Sequence, residues 1–384
     1  MSKCPTCFEW LPPVPSKFVC TGPCAPGRSE LATAARGFDV HIRPVMDAHV
    51  PRTGGPAAAA CPQCRTQTVQ EVCPRCLGEI APNWRAAKVT CIAMAGARAT
   101  GKSLMLGVAK GQLELLVERH HRSALRAVGD TEALFYERYT RPLYEQRQIL
   151  QPTPTLLDSE STSRDCLVFG FSETIADGSK RNRFLVLRDV AGEDLEAAGD
   201  GPSLSFFSRA DAVVALVDPL KVPSIRHMLA DLVPSDARLG GDSSTVLARV
   251  LSLMTNGVVG AKTQIPLAVV LSKFDTLQQL REVSGTEWAR IMNRPGSPLQ
   301  RDPSMRAATF DARDGDLLHY EVRALLGKLN SDSLTAMIEE SAQHFRYFAV
   351  SALGAHPKGD SLYAGGIAPF RVLDPFKWAL QVSA

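Results

Sequence analysis

Residues 96–103, Gly-Ala-Arg-Ala-Thr-Gly-Lys-Ser, constrain this chain more than any other stretch. They fit G-x-x-x-x-G-K-[ST] without a mismatch. The apolar run Lys88–Ala95 precedes them, and a helix-forming stretch from Lys102 to about Ala127 follows. A buried strand, a glycine turn and a helix in that order commit the chain to a βα unit. The glycines let successive backbone N–H groups turn inward to form an anion seat, and the helix N-terminus adds partial positive charge. Gly96, Ala97, Arg98, Ala99, Thr100, Gly101, Lys102, Ser103 and the following Leu104 are therefore candidate contacts to a nucleoside triphosphate. Lys102 would meet the β- and γ-phosphates, and Ser103 would offer its hydroxyl to Mg²⁺. Arg98 either lies along the phosphates as a catalytic charge stabiliser or faces solvent.

The rest of the chain extends this unit. Cys166–Phe171 and Phe184–Arg188 flank the polar turn Asp177–Asn182, which predicts a hairpin. Ala212–Asp218, Leu267–Ser272 and Arg346–Val350 read as further strands, and Pro375–Val382 as a closing helix. Strands alternating with helices predict an α/β fold with a mostly parallel sheet. Residues 278–340 exceed a minimal connection and predict a helical insertion, with a polar loop near Pro295–Pro303. Two domains are expected: residues 1–82, with a linker near 51–60, and residues 86–384.

The formal net charge of +3 argues against a general polyanion binder, although residues 1–90 carry ten Lys and Arg against six Asp and Glu. No apolar run reaches the roughly 18 residues of a membrane span. The N-terminal MSKCPTCFEW lacks the apolar core of a signal peptide. Together these point to the cytoplasm.

Further motifs complete a candidate site. Asp189-Val-Ala-Gly192 follows a strand; Asp189 can hold Mg²⁺ through water, and Gly192 can give its N–H to a γ-phosphate. Ser272-Lys273-Phe-Asp275 ends another strand. Asp275 can accept from N1–H and the exocyclic amine of guanine, a donor pair that adenine lacks. The Lys273 stem can lie over the base, and the N–H groups of Ser351, Ala352 and Leu353 can reach the guanine O6. Gln151-Pro-Thr153-Pro-Thr155 offers two threonines for Mg²⁺ and the γ-phosphate, with Thr155 preferred.

In this order the motifs GARATGKS, PTPT, DVAG, SKFD and SAL resemble those of the Ras- and Arf-like translation-factor class of P-loop GTPases. The resemblance covers roughly residues 86–384. It implies a three-layer sandwich around a six-stranded sheet with one antiparallel edge strand, Mg²⁺-GTP binding, and hydrolysis to GDP coupled to a molecular switch. Three departures stand out. Ser272 replaces Asn or Thr, Arg98 replaces a small residue, and Glu193 stands where Ras-like members carry Gln. An ionised Glu193 accepts but cannot donate to the attacking water, which slows hydrolysis. The cysteine-rich start and Arg371-Val-Leu-Asp-Pro-Phe-Lys-Trp-Ala-Leu380 look like bacterial double-GTPase-type proteins, implying protein partners on switch loops.

Eight of the ten cysteines form four close pairs: Cys4/Cys7, Cys20/Cys24, Cys61/Cys64 and Cys73/Cys76. Paired thiolates on tight knuckles suit two structural Cys₄ zinc sites. Grouping by sequence joins the first two pairs and the last two, although pairing across these clusters is open. His41 and His49 read as surface residues, Cys91 and Cys166 as buried thiols. The aromatics do not interleave with basic residues as nucleic-acid stacking requires, so the module reads as a protein-docking element. The alternative to a switch is a GTP-binding scaffold with little hydrolysis, assembled through these zinc ribbons.

Overall fold

Lys88–Gly96 (β1) is the strand on which the structure is built, with seven of its nine residues buried on both faces. The computed structural model describes residues 2–47, 57–151, 153–155, 166–175, 177–197, 202–222, 227, 242–282, 287–355, 362 and 365–383. His49, Pro152 and most of the 51–60 stretch fall outside these.

After β1 come Lys102–His121 (α1), Arg126–Ala127 (β2), Leu167–Thr174 (β3), Lys180–Arg188 (β4) and Ala212–Val217 (β5). Ser243–Met254 (α2), Leu267–Leu271 (β6), Ala312–Lys328 (α3), Asp332–Ser341 (α4), Phe345–Ala349 (β7) and Asp374–Val382 (α5) follow. The sheet order is β7-β6-β5-β1-β4-β3-β2. β4, β1, β5, β6 and β7 are mutually parallel, and β3 is antiparallel to both neighbours.

The architecture is therefore mixed α/β with a seven-stranded, mostly parallel sheet. The six strands expected are one short, because Arg126–Ala127 adds a two-residue edge that no apolar run announces. The antiparallel strand β3 is consequently internal. α1 stops at His121 rather than near Ala127. Arg122 turns left-handed at φ 48°, and its N–H closes on Glu118 O. Between 278 and 340 the described residues include the helices Glu287–Met292, α3 and α4, with turns and coil over 294–311. Leu318, Val322, Leu325 and Ile338 from this stretch enter the main core.

Both flanks of the sheet carry side-chain acceptors for outward N–H groups. His319 Nδ1 accepts from Tyr347 N of β7 at 3.1 Å. On β3, Ser123 Oγ accepts from Ser172 N at 3.0 Å and His121 Nδ1 from Thr174 N at 3.1 Å. Burial lowers the pKa of both histidines, which keeps the rings neutral and able to accept.

The N-terminal residues form a small module around Lys17–Val19, paired antiparallel with Val45–Asp47 and Glu71–Val72. Among its described residues is the helix Glu30–Arg36, begun by Ser29 Oγ accepting from Ala32 N and ended by Gly37 at φ 78°. Cys4, Cys7, Phe8, Leu11, Cys73 and Cys76 of the module join the main core, while Val19, Ala32, Val40, Val72 and Leu77 form a small core of their own. Trp84 stacks on Phe184 of β4 with centroids 4.6 Å apart, and its indole N–H donates to Lys3 O at 2.8 Å. Lys3 in turn pairs with Asp211 at 2.5 Å. No helix among the described residues is long and apolar enough to cross a membrane.

Candidate functional site

The loop between β1 and α1 owes its shape to glycine at two points. Gly96 has φ 148°, and a Cβ there would stand 2.7 Å from Leu216 O; Gly101 has φ 91° and opens α1. Ala99 is also left-handed, at φ 57°. Lys102 is buried, and its ammonium folds back to donate to Gly96 O at 2.8 Å and Ala97 O at 3.3 Å. Burial pushes its pKa down, opposed by Asp189, Glu193 and Glu196.

Ser103 Oγ donates to Asp189 Oδ2 at 3.0 Å and lies 2.7 Å from Thr153 Oγ1, which is itself 3.3 Å from Asp189 Oδ2. Thr153 is thus the threonine placed beside Ser103 and Asp189. Two threonines two apart in a proline-rich loop carry the same signal in the sequence. Asp189 is 4% exposed, and its Oδ1 has no hydrogen-bond partner among the described residues. The Tyr139 hydroxyl, also buried, has none either. Tyr139 lies on the wide-turn helix Tyr136–Glu145, which packs against α1 at Gly107.

The DVAG segment leans on the loop. A Cβ on Gly192 would stand 2.2 Å from Arg98 N. The short helix Gly192–Glu196 that follows puts two carboxylates on Arg98. Glu193 Oε1 pairs with Arg98 Nε at 3.0 Å, and Glu196 Oε1 accepts from Arg98 N at 3.1 Å. Arg98 and Glu193, the two residues expected to act on a γ-phosphate, thus engage each other.

On the other side of the loop, Asp275 accepts from Ser351 Oγ at 2.6 Å, and Ser351 Oγ accepts from Gly354 N at 2.9 Å. Ala352 and Leu353 follow at half-buried positions. Lys273, left-handed at φ 50°, pairs with Asp218 at 2.8 Å. Ser272 Oγ donates to Val217 O at 3.4 Å, not to the Gly96–Ser103 loop. Sequence reasoning missed Lys221, which donates to Arg98 O, and Glu196. Neither lies in a motif; only the fold brings them to the loop.

The cysteines form two groups, and the grouping crosses the sequence order. Cys4 and Cys7 meet Cys73 and Cys76; Cys20 and Cys24 meet Cys61 and Cys64. Grouping neighbouring pairs is corrected accordingly. Three knuckles share one backbone device. The residue after the second cysteine is left-handed (Phe8 φ 60°, Arg65 φ 59°, Leu77 φ 54°), and its N–H closes on the carbonyl of the first cysteine. Cys20-x₃-Cys24 is one residue longer and lacks it.

Sulfur separations are 3.6 Å for Cys4–Cys76, 3.8 Å for Cys7–Cys73, 3.5 Å for Cys20–Cys64 and 3.8 Å for Cys24–Cys61. A tetrahedron with Zn–S of about 2.3 Å needs sulfurs about 3.8 Å apart. Backbone N–H groups of Thr6, Gly22 and Gly78 point at Cys4, Cys20 and Cys76 Sγ. The Thr66 hydroxyl and N–H pull the Cys64 thiol down to about 6. Both groups could hold a metal ion such as zinc. The first is buried and continuous with the main core, while Cys24 and Cys64 of the second are half-exposed. The first also touches the loop's surroundings, because Arg188, the residue before Asp189, donates to Thr6 O at 2.6 Å and stacks on Phe206.

No protein-family model matches the chain. Over 391 residues it is 43% identical to a Mycolicibacterium smegmatis protein named as an ESX-1 scaffolding and assembly protein, SaeC, with 98% of each chain covered. This full-length likeness overturns the assignment to the Ras- and Arf-like GTPases and to the double-GTPase type, and with it the reading as a GTP-hydrolysing molecular switch.

Proposed function

The chain belongs to the family of the ESX-1 scaffolding and assembly protein SaeC, and from that premise we propose that it is an assembly scaffold whose ligands are structural. The observation that carries the reading is likeness along the entire chain, cysteine module included, to a protein named for scaffolding and assembly. In this reading each Cys₄ group holds one zinc, and the module with the adjoining α/β surface holds protein partners. The Gly96–Leu104 loop carries GTP or GDP with Mg²⁺ as a resident ligand. Ser103, Thr153 and Asp189 would face Mg²⁺, the unpaired Asp189 Oδ1 being the group left to satisfy. Asp275, Lys273 and residues 351–353 would face the guanine. The Arg98–Glu193 pair supports slow turnover, since an arginine held by a carboxylate stabilises less transition-state charge.

The test has two arms. Proteins retained by the tagged chain in its own cells should associate with one another only when the chain is present. Purified chain should release phosphate from GTP no faster than a Lys102→Ala variant does. Partner association that persists without the chain, or steady multiple turnover abolished by Lys102→Ala, overturns the reading.

A further inference from the structure

We propose that Lys221 is a second cation of the phosphate seat, set against an internal carboxylate, Glu196, that occupies the seat until phosphate displaces it. The inference rests on the nucleotide reading above and names two residues outside every motif of that site.

Lys221 ends a single turn, Pro219–Lys221, just after β5. Asp218 starts that turn, accepting from Leu220 N at 3.0 Å through Oδ1, while its Oδ2 holds Lys273 at 2.8 Å. The lysine is therefore built into place from two strand ends, and its side chain is 5% exposed. Its ammonium donates to Arg98 O, within the phosphate loop. Lys102 and Lys273 are close enough to lower its pKa further beyond the effect of burial, and Asp218 and Glu196 oppose them. An ammonium so buried is costly unless negative charge answers it.

Asp218 and Glu196 are the carboxylates near enough to answer it, Glu196 from an exposed position. Glu196 Oε1 takes Arg98 N at 3.1 Å, the kind of inward N–H that a phosphate oxygen would take. The carboxylate stands in for an anion. Gly192, lying against Arg98 N, brings the whole Gly192–Glu196 helix over the loop. An entering phosphate must displace Glu196, and it then inherits Lys221 as its counter-charge. Lys221 and Glu196 thus act on affinity with opposite signs.

Binding of Mg-GDP and of inorganic pyrophosphate to the full chain tests this by calorimetry. A charged hydrogen bond contributes about 1.5–3 kcal/mol, so Lys221→Met should weaken both ligands by about tenfold or more. Lys221→Arg should stay within about threefold. Glu196→Gln should bind both more tightly. Unchanged affinity in Lys221→Met, or weaker affinity in Glu196→Gln with an unchanged melting temperature, overturns the proposal while the nucleotide reading stands. A wild-type chain that binds neither probe overturns both. Thermal melting of each variant separates lost binding from lost folding, because unfolding cannot produce the tighter binding expected of Glu196→Gln.

Discussion

Replacing Gly78 with alanine puts a methyl group where the first cysteine group has no room. The new Cβ would stand 2.2 Å from Thr6 Oγ1, 2.8 Å from Thr6 Cβ and 3.3 Å from Cys76 Sγ. Thr6 sits inside the Cys4–Cys7 knuckle, so moving it separates that knuckle from Cys73 and Cys76. The sulfur pairs at 3.6 and 3.8 Å leave only tenths of an ångström before the tetrahedron opens. Overpacking of this kind costs about 1–3 kcal/mol. Reduced freedom of the unfolded chain returns about 0.4–1 kcal/mol, because Gly78 has no left-handed φ to forbid alanine. The net loss is about 1–2 kcal/mol, concentrated on a group continuous with the main core. Elemental analysis after a timed chelator challenge, with thermal melting, reads it out. Gly78→Ala should lose one metal per chain faster than wild type and melt lower, and Thr6→Gly added to it should restore both. Gly27→Ala, whose Cβ meets nothing within 4 Å, is the control. Equal metal retention and melting in Gly78→Ala and Gly27→Ala would refute the geometric reasoning.

Two further outcomes follow from buried ionisable groups. His121 and His319 have folded pKa values below their unfolded ones. The stability they contribute is present above about pH 6.5 and is lost as pH falls through their lower folded values. Melting temperature should drop between pH 7 and 5, with a shallower drop in His319→Gln; an identical slope in that variant sinks the assignment. Arg371, fully buried, pairs with Asp314 and Asp374, each at 2.6 Å. Arg371→Met strands the buried Asp374 and leaves Asp314 to Arg301 alone, and should cost about 3–5 kcal/mol by urea unfolding at pH 7. Burial already pushes Asp374 up to about 6, so the deficit should shrink at pH 5.

The central parallel strands were legible because Ala212–Val217 and Leu267–Leu271 are short runs buried on both faces. The β3–β4 hairpin was legible from its polar turn. Arg126–Ala127 was not, since two residues carry no period. Helix Glu30–Arg36 hid behind its prolines and glycines and is defined mainly by its Ser29 and Gly37 caps. At the loop, Gly96 and Gly101 were readable from spacing, because the turn needs positive φ at both. Lys221 and Glu196 arrive from separate elements, which no local pattern encodes. The crossed cysteine grouping escaped for the same reason. The GTPase expectation failed differently: it rested on short loop motifs, and the likeness along the whole chain to a protein named for scaffolding and assembly overturns it.

The crossed grouping also orders events in time. The ligand pairs are nested like brackets, with the group spanning separations of 37 and 44 residues inside the one spanning 66 and 72. As the chain leaves the ribosome, Cys64 emerges before Cys76, so the inner knot can close first. Closing it shortens the effective loop that the outer knot must draw together, lowering that entropy cost. The outer knot is the one joined to the sheet through Thr6 and Arg188. A half-exposed inner group closed first would leave less chain to order when the buried junction forms.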